Sequence, residues 1–223
     1  MSLVLKAEPP SYSSESITLA ARILRNGGVA VFPTETVYGV GADIRCSEAV
    51  GRVFALKRRE LSQPLMAHCA SPVQMLEYVA DIPQWVQPLI SRFWPGPLAL
   101  VLRSSEKVPP AVTGGARTIG IRMVGHPVAR DLLEELGAPI AGTSANLHGE
   151  PATSQFDAIS RALLEQVSVA LDAGLCGSDV PSTVLDVTCN PPRLVRPGAV
   201  PVQAIEALVG RVLVGPRSPA PNP

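Results

Sequence analysis

Val29-Ala30-Val31-Phe32-Pro33-Thr34-Glu35-Thr36-Val37-Tyr38-Gly39 passes from an unbroken apolar run into a polar turn and out to a glycine. Four apolar residues stopped by proline read as a short buried strand. The turn then sets hydroxyls, a carboxylate and a phenol just beyond the strand, where open sheets expose functional groups. A turn rich in threonine and glycine is also a common structural device. Its meaning depends on what surrounds it.

Upstream, residues 14–26 read as an amphipathic helix with Ile17, Ala20, Ala21 and Leu24 on one face and Gly27-Gly28 as its stop. Downstream, strand patterns fall at 65–70, 98–102, 118–123, 139–142, 169–171, 183–187 and 193–195. Helical patterns fall at 47–57 with Ser47 as N-cap, at 73–79, 84–93, 127–136 closed by Gly137, 155–165 and 202–208. In 118–123 the alternation puts Ile119 and Ile121 on one face and Thr118, Gly120 and Arg122 on the other. Such interleaving predicts a layered α/β or α+β domain. A single domain is expected over 1–209, with a flexible proline-rich tail at 210–223.

The 223 residues, 46% of them hydrophobic, suffice for one sizeable core. Charged residues make up 17% and balance to zero, which argues against a strongly basic nucleic-acid binder. Aromatic residues at 4% supply no stacking platform for bases. The cysteines at 46, 69, 176 and 189 form no CxxC pair and no ligand cluster with the histidines, so neither zinc nor another bound metal is expected. No run reaches the roughly 18 apolar residues of a membrane helix. The first residues lack a basic segment followed by a long apolar stretch. A soluble, cytoplasmic protein without a membrane partner is the expectation.

The familiar phosphate-binding signatures are missing: there is no GxxxxGK[ST], and Gly39-Val40-Gly41 lacks the third glycine of a dinucleotide fingerprint. Polar clusters at strand ends remain. Lys57-Arg58-Arg59 precedes Gln63-Pro64-Leu65 and His68, and Gly142-Thr143-Ser144-Ala145-Asn146 follows an apolar strand. Arg117 precedes one strand and Arg122 lies within it, Ser182-Thr183 starts another, and Arg196-Pro197-Gly198 ends a third. Each has a bland explanation, as a solvated helix end, a core histidine, an Asx turn or a surface arginine. Guanidinium forks nonetheless suit carboxylates and phosphates.

In order along the chain, Pro33–Gly39, Lys57-x-Arg59 with Pro64-Leu65, His68, Trp94-Pro95-Gly96-Pro97, Arg117 and Arg122, Ser144-Ala145-Asn146, Pro181-Ser182-Thr183-Val184 and Arg196-Pro197-Gly198 resemble the YrdC-type threonylcarbamoyl-AMP synthase family. The resemblance runs from about 14 to 209 and is to the short, single-domain form. It implies a twisted open mixed sheet with helices on its faces and a concave basic site, a YrdC-like fold resembling that of DHBP synthase. The implied reaction joins L-threonine, bicarbonate and ATP into threonylcarbamoyl-AMP and pyrophosphate, with Mg²⁺ accompanying ATP. The product goes to a tRNA threonylcarbamoyl transferase, the expected downstream partner, and weak RNA binding is a secondary expectation. Carried over by position, Thr36, His68, Arg122, Gly142 and Ser182 line the threonine pocket. Lys57, Arg59, Gln63, Thr118, Ser144, Asn146, Ala152 and Arg196 meet ATP, with Lys57, Arg59, Ser144 and Asn146 in the catalytic role. Glu60 and Gln63 depart from the family pattern in the phosphate segment. That leaves two alternatives: a paralogue forming carbamoyl-adenylate for O-carbamoyl transfer, and an RNA-binding maturation factor on the same fold.

Overall fold

The computed structural model describes residues 2–60 and 62–215. The chain begins with β1 (Leu3–Lys6), α1 (Ser14–Arg25), β2 (Val29–Phe32) and β3 (Gly39–Asp43). Next come α2 (Ser47–Lys57), β4 (Met66–Cys69), α3 (Pro72–Leu76), α4 (Gln87–Phe93), β5 (Leu98–Arg103), α5 (Pro110–Thr113), β6 (Thr118–Met123) and α6 (Pro127–Leu136). The last part holds β7 (Ile140–Ser144), α7 (Arg161–Leu164), β8 (Val169–Asp172), β9 (Thr183–Asp186), β10 (Arg193–Arg196), α8 (Val202–Val209) and β11 (Leu213–Val214). Among the described residues the strands make one eleven-stranded mixed sheet, ordered β1-β8-β2-β3-β7-β4-β6-β5-β9-β10-β11.

Alternation along the strands sorts side chains onto two faces. Val29 and Val31 of β2 enter one apolar core, while Ala30 and Phe32 enter the other. The first core is continuous under α2, α4 and α8, and takes Ala67 and Cys69 of β4, Ile119 and Ile121 of β6, and Leu98, Leu100 and Leu102 of β5. The second core is smaller. It is built by α1 and α6 packing over Ala30, Phe32, Ile140, Val169 and Leu171. Farther along that face, Ala99, Val101 and Val184 form only a small cluster against Met66. One sheet face is therefore covered throughout and the other only in part, and the concave site occupies the part left open.

Local chemistry accounts for most boundaries. Ser13 caps α1 by accepting from Glu15 N at 3.1 Å, and Ile17, Ala20, Ala21 and Leu24 are its buried stripe, as their spacing predicts. Gly137 ends α6 at φ 71°, the left-handed conformation that glycine enters without a Cβ clash. Other expectations need correction. The N-cap of α2 is Cys46, without a side-chain capping bond, so Ser47 is the first helical residue. The helix expected over 155–165 is a 3-10 turn at Phe156–Ala158 followed by α7, because Ile159 between them is extended and Ser160 is not helical. The expected domain end at 209 also falls short of the sheet. Leu213 N donates to Pro192 O at 2.8 Å, β11 runs parallel to β10, and Val212 is buried beside it. The rest of the expected tail, 216–223, lies outside the described residues.

Strands β1, β3 and β11 and helix α5 carry no pattern strong enough to predict them. β3 is the instructive case, since Gly39 and Gly41 disfavour a strand on propensity alone. It forms because its neighbours crowd it: Gly41 lies opposite Gly142 in β7, and a Cβ on Gly41 would sit 2.6 Å from Ala141 O and 2.9 Å from the Gly142 Cα. Gly41→Ala should therefore lose about 1–3 kcal/mol in chemical denaturation. Gly51→Ala, on an exposed turn of α2 with nothing within 4 Å of the added methyl, should gain about 0.5–1 kcal/mol. Equal changes at the two glycines would contradict this packing.

Candidate functional site

The segment 33–38 closes the hairpin between β2 and β3, whose last pair is Phe32 opposite Gly39. Its buried polar groups are tied inward. Thr34 Oγ1 donates to Val37 O at 2.6 Å and lies 3.0 Å from Thr36 Oγ1. Tyr38 O accepts from Ala145 N at 2.8 Å, and the Tyr38 hydroxyl donates to Gly174 O at 3.0 Å. The hairpin loop is thereby fixed to the segment after β7 and to the loop after β8.

Beneath this loop, the register of β7, β4 and β6 builds a floor of two rows. Gly142, Met66 and Gly120 lie side by side, and Ile140, His68 and Arg122 form the next row. Gly120 in the first row leaves open space above the sheet, since a Cβ there would meet only Met66 at 4.0 Å, and the second row supplies a buried imidazole beside a buried guanidinium. His68 Nδ1 lies 3.3 Å from Ile140 O, and its ring meets Phe32 edge-on at 5.4 Å. Burial and then Arg122 push its pKa down to about 3, so the ring is neutral at physiological pH. Arg122 Nη1 donates to Glu35 Oε1 at 3.0 Å, and Glu35 Oε2 accepts from Gly125 N at 2.9 Å.

A cleft of about 640 Å³, partly open to solvent, lies over this floor. Thr36, His68, Arg122, Gly142 and Ser182 line it together, as do Arg59, Ser144 and Arg196. No carboxylate of the described residues lines it. Arg196 at its mouth donates through Nη2 to Ser182 O at 2.8 Å and to Ser182 Oγ at 3.1 Å. Desolvation, then Arg122 and Arg59, depresses the Arg196 pKa, so three guanidiniums repel one another across the cleft. Such a site is arranged for anions.

A second compartment adjoins the first, lined by Lys57, Arg59, Gln63, Ser144 and Asn146 with Thr143 and His148. Lys57, at the end of α2, is 6% exposed and donates to Ser144 O and Asn146 Oδ1, each at 2.9 Å, and to Asn146 O. Burial and then Arg59 lower its pKa to about 8, which leaves it a cation at pH 7. Arg59 donates to Gln63 O at 3.0 Å and Pro64 O at 2.9 Å, and so shapes the loop before β4. Glu60 is exposed, its carboxylate accepting from Ser62 Oγ at 3.3 Å.

Eleven of the expected residues thus line one compartment or the other, and two do not. Thr118 is half-buried at the start of β6, and Ala152 is half-buried in the loop after β7. Arg117 is exposed and stays outside as well. Glu35 and Thr143 stand in the polar clusters singled out in the sequence but carried no assigned role there, and His148 was not singled out. Glu35 carried a signal, being the one charge in a turn that follows a buried strand. Among the described residues no group of three or more His, Cys, Asp and Glu could hold a metal, and no helix is long and apolar enough to cross a membrane.

The depressed His68 pKa makes a prediction. Between its ordinary value near 6.5 and about 3, the unfolded chain binds a proton that the folded chain refuses. Acidification through that window therefore removes up to about 1.4 kcal/mol of stability per pH unit. His68→Gln should flatten the slope of unfolding free energy against pH there. An unchanged slope would mean that the imidazole titrates normally.

Comparison with known proteins agrees with the geometry. The family model Sua5_yciO_yrdC, described as "Telomere recombination", matches residues 22–198. The Pyrococcus abyssi protein named threonylcarbamoyl-AMP synthase is 40% identical over 200 residues, 90% of this chain, and the chain spans 59% of that relative's length. A crystal structure of P. abyssi Sua5 complexed with L-threonine superposes with a TM-score of 0.90 at 38% identity, covering 97% of this chain and 63% of that one. E. coli YciO superposes at 0.84 with 30% identity, covering 92% of this chain and 99% of YciO. The mixed open sheet, the site on its uncovered face and these matches agree: the chain belongs to the Sua5/YciO/YrdC family.

Proposed function

We propose that this chain synthesises L-threonylcarbamoyl-AMP from L-threonine, bicarbonate and ATP, supplying a tRNA threonylcarbamoyl transferase from a cytoplasmic location. The observation that carries the reading is Arg122. A guanidinium 3% exposed, set beside a neutral imidazole and the Thr36 and Ser182 hydroxyls, forms a small pocket suited to one carboxylate and one hydroxyl. The relatives' names and the L-threonine in P. abyssi Sua5 support threonine as the occupant.

ATP would lie across the second compartment toward Arg59 and Arg196. Several phosphate charges need neutralising without a glycine-rich phosphate loop, and Lys57, Arg59 and Arg196 surround the space where that is done. Magnesium enters with the nucleotide as part of the substrate, since the lining offers cations and amides but no carboxylate cage. Thr118 and Ala152 stand outside both compartments and have no part in this reading.

The chemistry follows from placement. The threonine amine and bicarbonate condense to a carbamate and water, and a carbamate oxygen attacks the α-phosphorus. The bond to the β-phosphate oxygen breaks, and pyrophosphate leaves carrying that electron pair. Cations on the leaving side stabilise the charge that develops there, and Lys57 holds the Ser144–Asn146 turn in one conformation as it does so. No protein nucleophile is required.

Product identification after incubation with MgATP, bicarbonate and L-threonine tests the proposal. Threonylcarbamoyl-AMP and pyrophosphate should form together, whereas pyrophosphate released only with carbamoyl phosphate would favour the carbamoyl-transfer paralogue. Arg122→Ala should raise the threonine KM by about tenfold or more while the ATP KM stays within about threefold, and Arg196→Ala should do the reverse. Equal effects on both substrates would break this division of the site.

A further inference from the structure

Arg122 is the most deeply buried arginine of the cleft, and its hydrogen bonds are unevenly distributed. Nη1 donates to Glu35 Oε1 at 3.0 Å and to Thr36 Oγ1 at 3.4 Å. Nε is equally enclosed and has no partner among the described residues. A buried donor left unpaired costs about 1–3 kcal/mol, a cost that a partner from outside the chain would remove.

Glu35 grips the guanidinium from the far end. Its side chain is 20% exposed and does not line the cleft, and each of its oxygens has its own donor, Arg122 Nη1 for one and the Gly125 N–H at 2.9 Å for the other. A substrate carboxylate therefore has no need to displace it. A carboxylate pairs best with two parallel N–H groups. With Nη1 engaged, the edge that keeps two such groups is the one formed by Nε and Nη2.

We propose that Glu35 is a positioning residue of the amino-acid pocket. By bridging Arg122 Nη1 to the Gly125 N–H, it turns the Nε–Nη2 edge of the guanidinium toward the α-carboxylate of the substrate. The inference rests on the cleft being the amino-acid pocket of the function proposed above.

The length of the side chain and the number of its acceptors both matter to this role. Glutamine keeps the length but has one acceptor oxygen, so its amine must face either the arginine or the backbone N–H. Aspartate keeps the charge but is one methylene too short to span both donors. A carboxylate serving only to offset the arginine charge behaves differently. Aspartate would then replace it, and glutamine would tighten the hold on an anionic substrate by leaving Arg122 less neutralised.

Titration calorimetry of L-threonine, and separately of ATP, into the full chain and its Glu35→Gln and Glu35→Asp variants decides between these roles. Wild type should bind L-threonine, both variants should bind it about tenfold or more weakly, and ATP affinity should stay within about threefold. Threonine affinity unchanged or tighter in Glu35→Gln, or wild-type affinity in Glu35→Asp, overturns the positioning role. A matching loss of ATP affinity also overturns it, since the whole cleft would then depend on Glu35. Wild type that binds ATP but no L-threonine instead overturns the amino-acid reading on which the inference rests.

Discussion

Among the described residues, three guanidiniums share one cleft without a carboxylate in its lining, and that repulsion is the constraint the rest of the structure answers. Arg122 is buried on β6, Arg59 sits beyond the end of α2, and Arg196 ends β10. Left to themselves such groups would separate. Each is instead pinned by oxygens of the fold: Arg59 by the Gln63 and Pro64 carbonyls, Arg196 by Ser182, and Arg122 by Glu35. The cations are thus held close by neutral acceptors and a single carboxylate behind them, and the field in the cleft stays positive. An anion entering the cleft would relieve that repulsion.

The sheet makes this arrangement affordable. Strand alternation sends the leucines of β5 and the isoleucines of β6 into a continuous core, which leaves the opposite face of β4, β5 and β6 for His68, Arg122, Gly120 and the small cluster around Met66. The α1–α6 pair covers only one end of that face. Polar groups at the uncovered end sit on strands, which are stiffer than loops, while the hairpin loop 33–38 and the Ser144–Asn146 turn lean over them from above. Lys57 joins the two levels, since its ammonium ends a helix of the covered face and holds the turn on the open one.

Much of this was legible in the sequence, and the reasons for the gaps are physical. Helices with a clean apolar stripe, such as α1 and α6, and strands with unbroken apolar runs, such as β2 and β5, follow from periodicity. β3 does not, because its glycines answer to the close approach of β7, which no local pattern encodes. β11 is two residues long and is held by a single neighbour. In the site, residues in strand-end motifs were found because the family resemblance marks them, and the fold brings eleven of thirteen into the lining. Glu35 was given no role although it stands inside the most informative segment. Its partner Arg122 lies 87 positions away, and only tertiary structure joins them. Glu60, a departure from the family pattern, is exposed and its carboxylate accepts from Ser62.

The central claim is that one arginine reads the amino acid while the other cations read the nucleotide. A crystal structure with L-threonine and a non-hydrolysable ATP analogue bound together tests it most directly. The account predicts the threonine carboxylate on Arg122, its hydroxyl near His68 or Ser182, and the triphosphate along Lys57, Arg59 and Arg196 with the α-phosphorus facing the amine. Phosphate oxygens seated on Arg122, or the threonine carboxylate on Arg196, would contradict it.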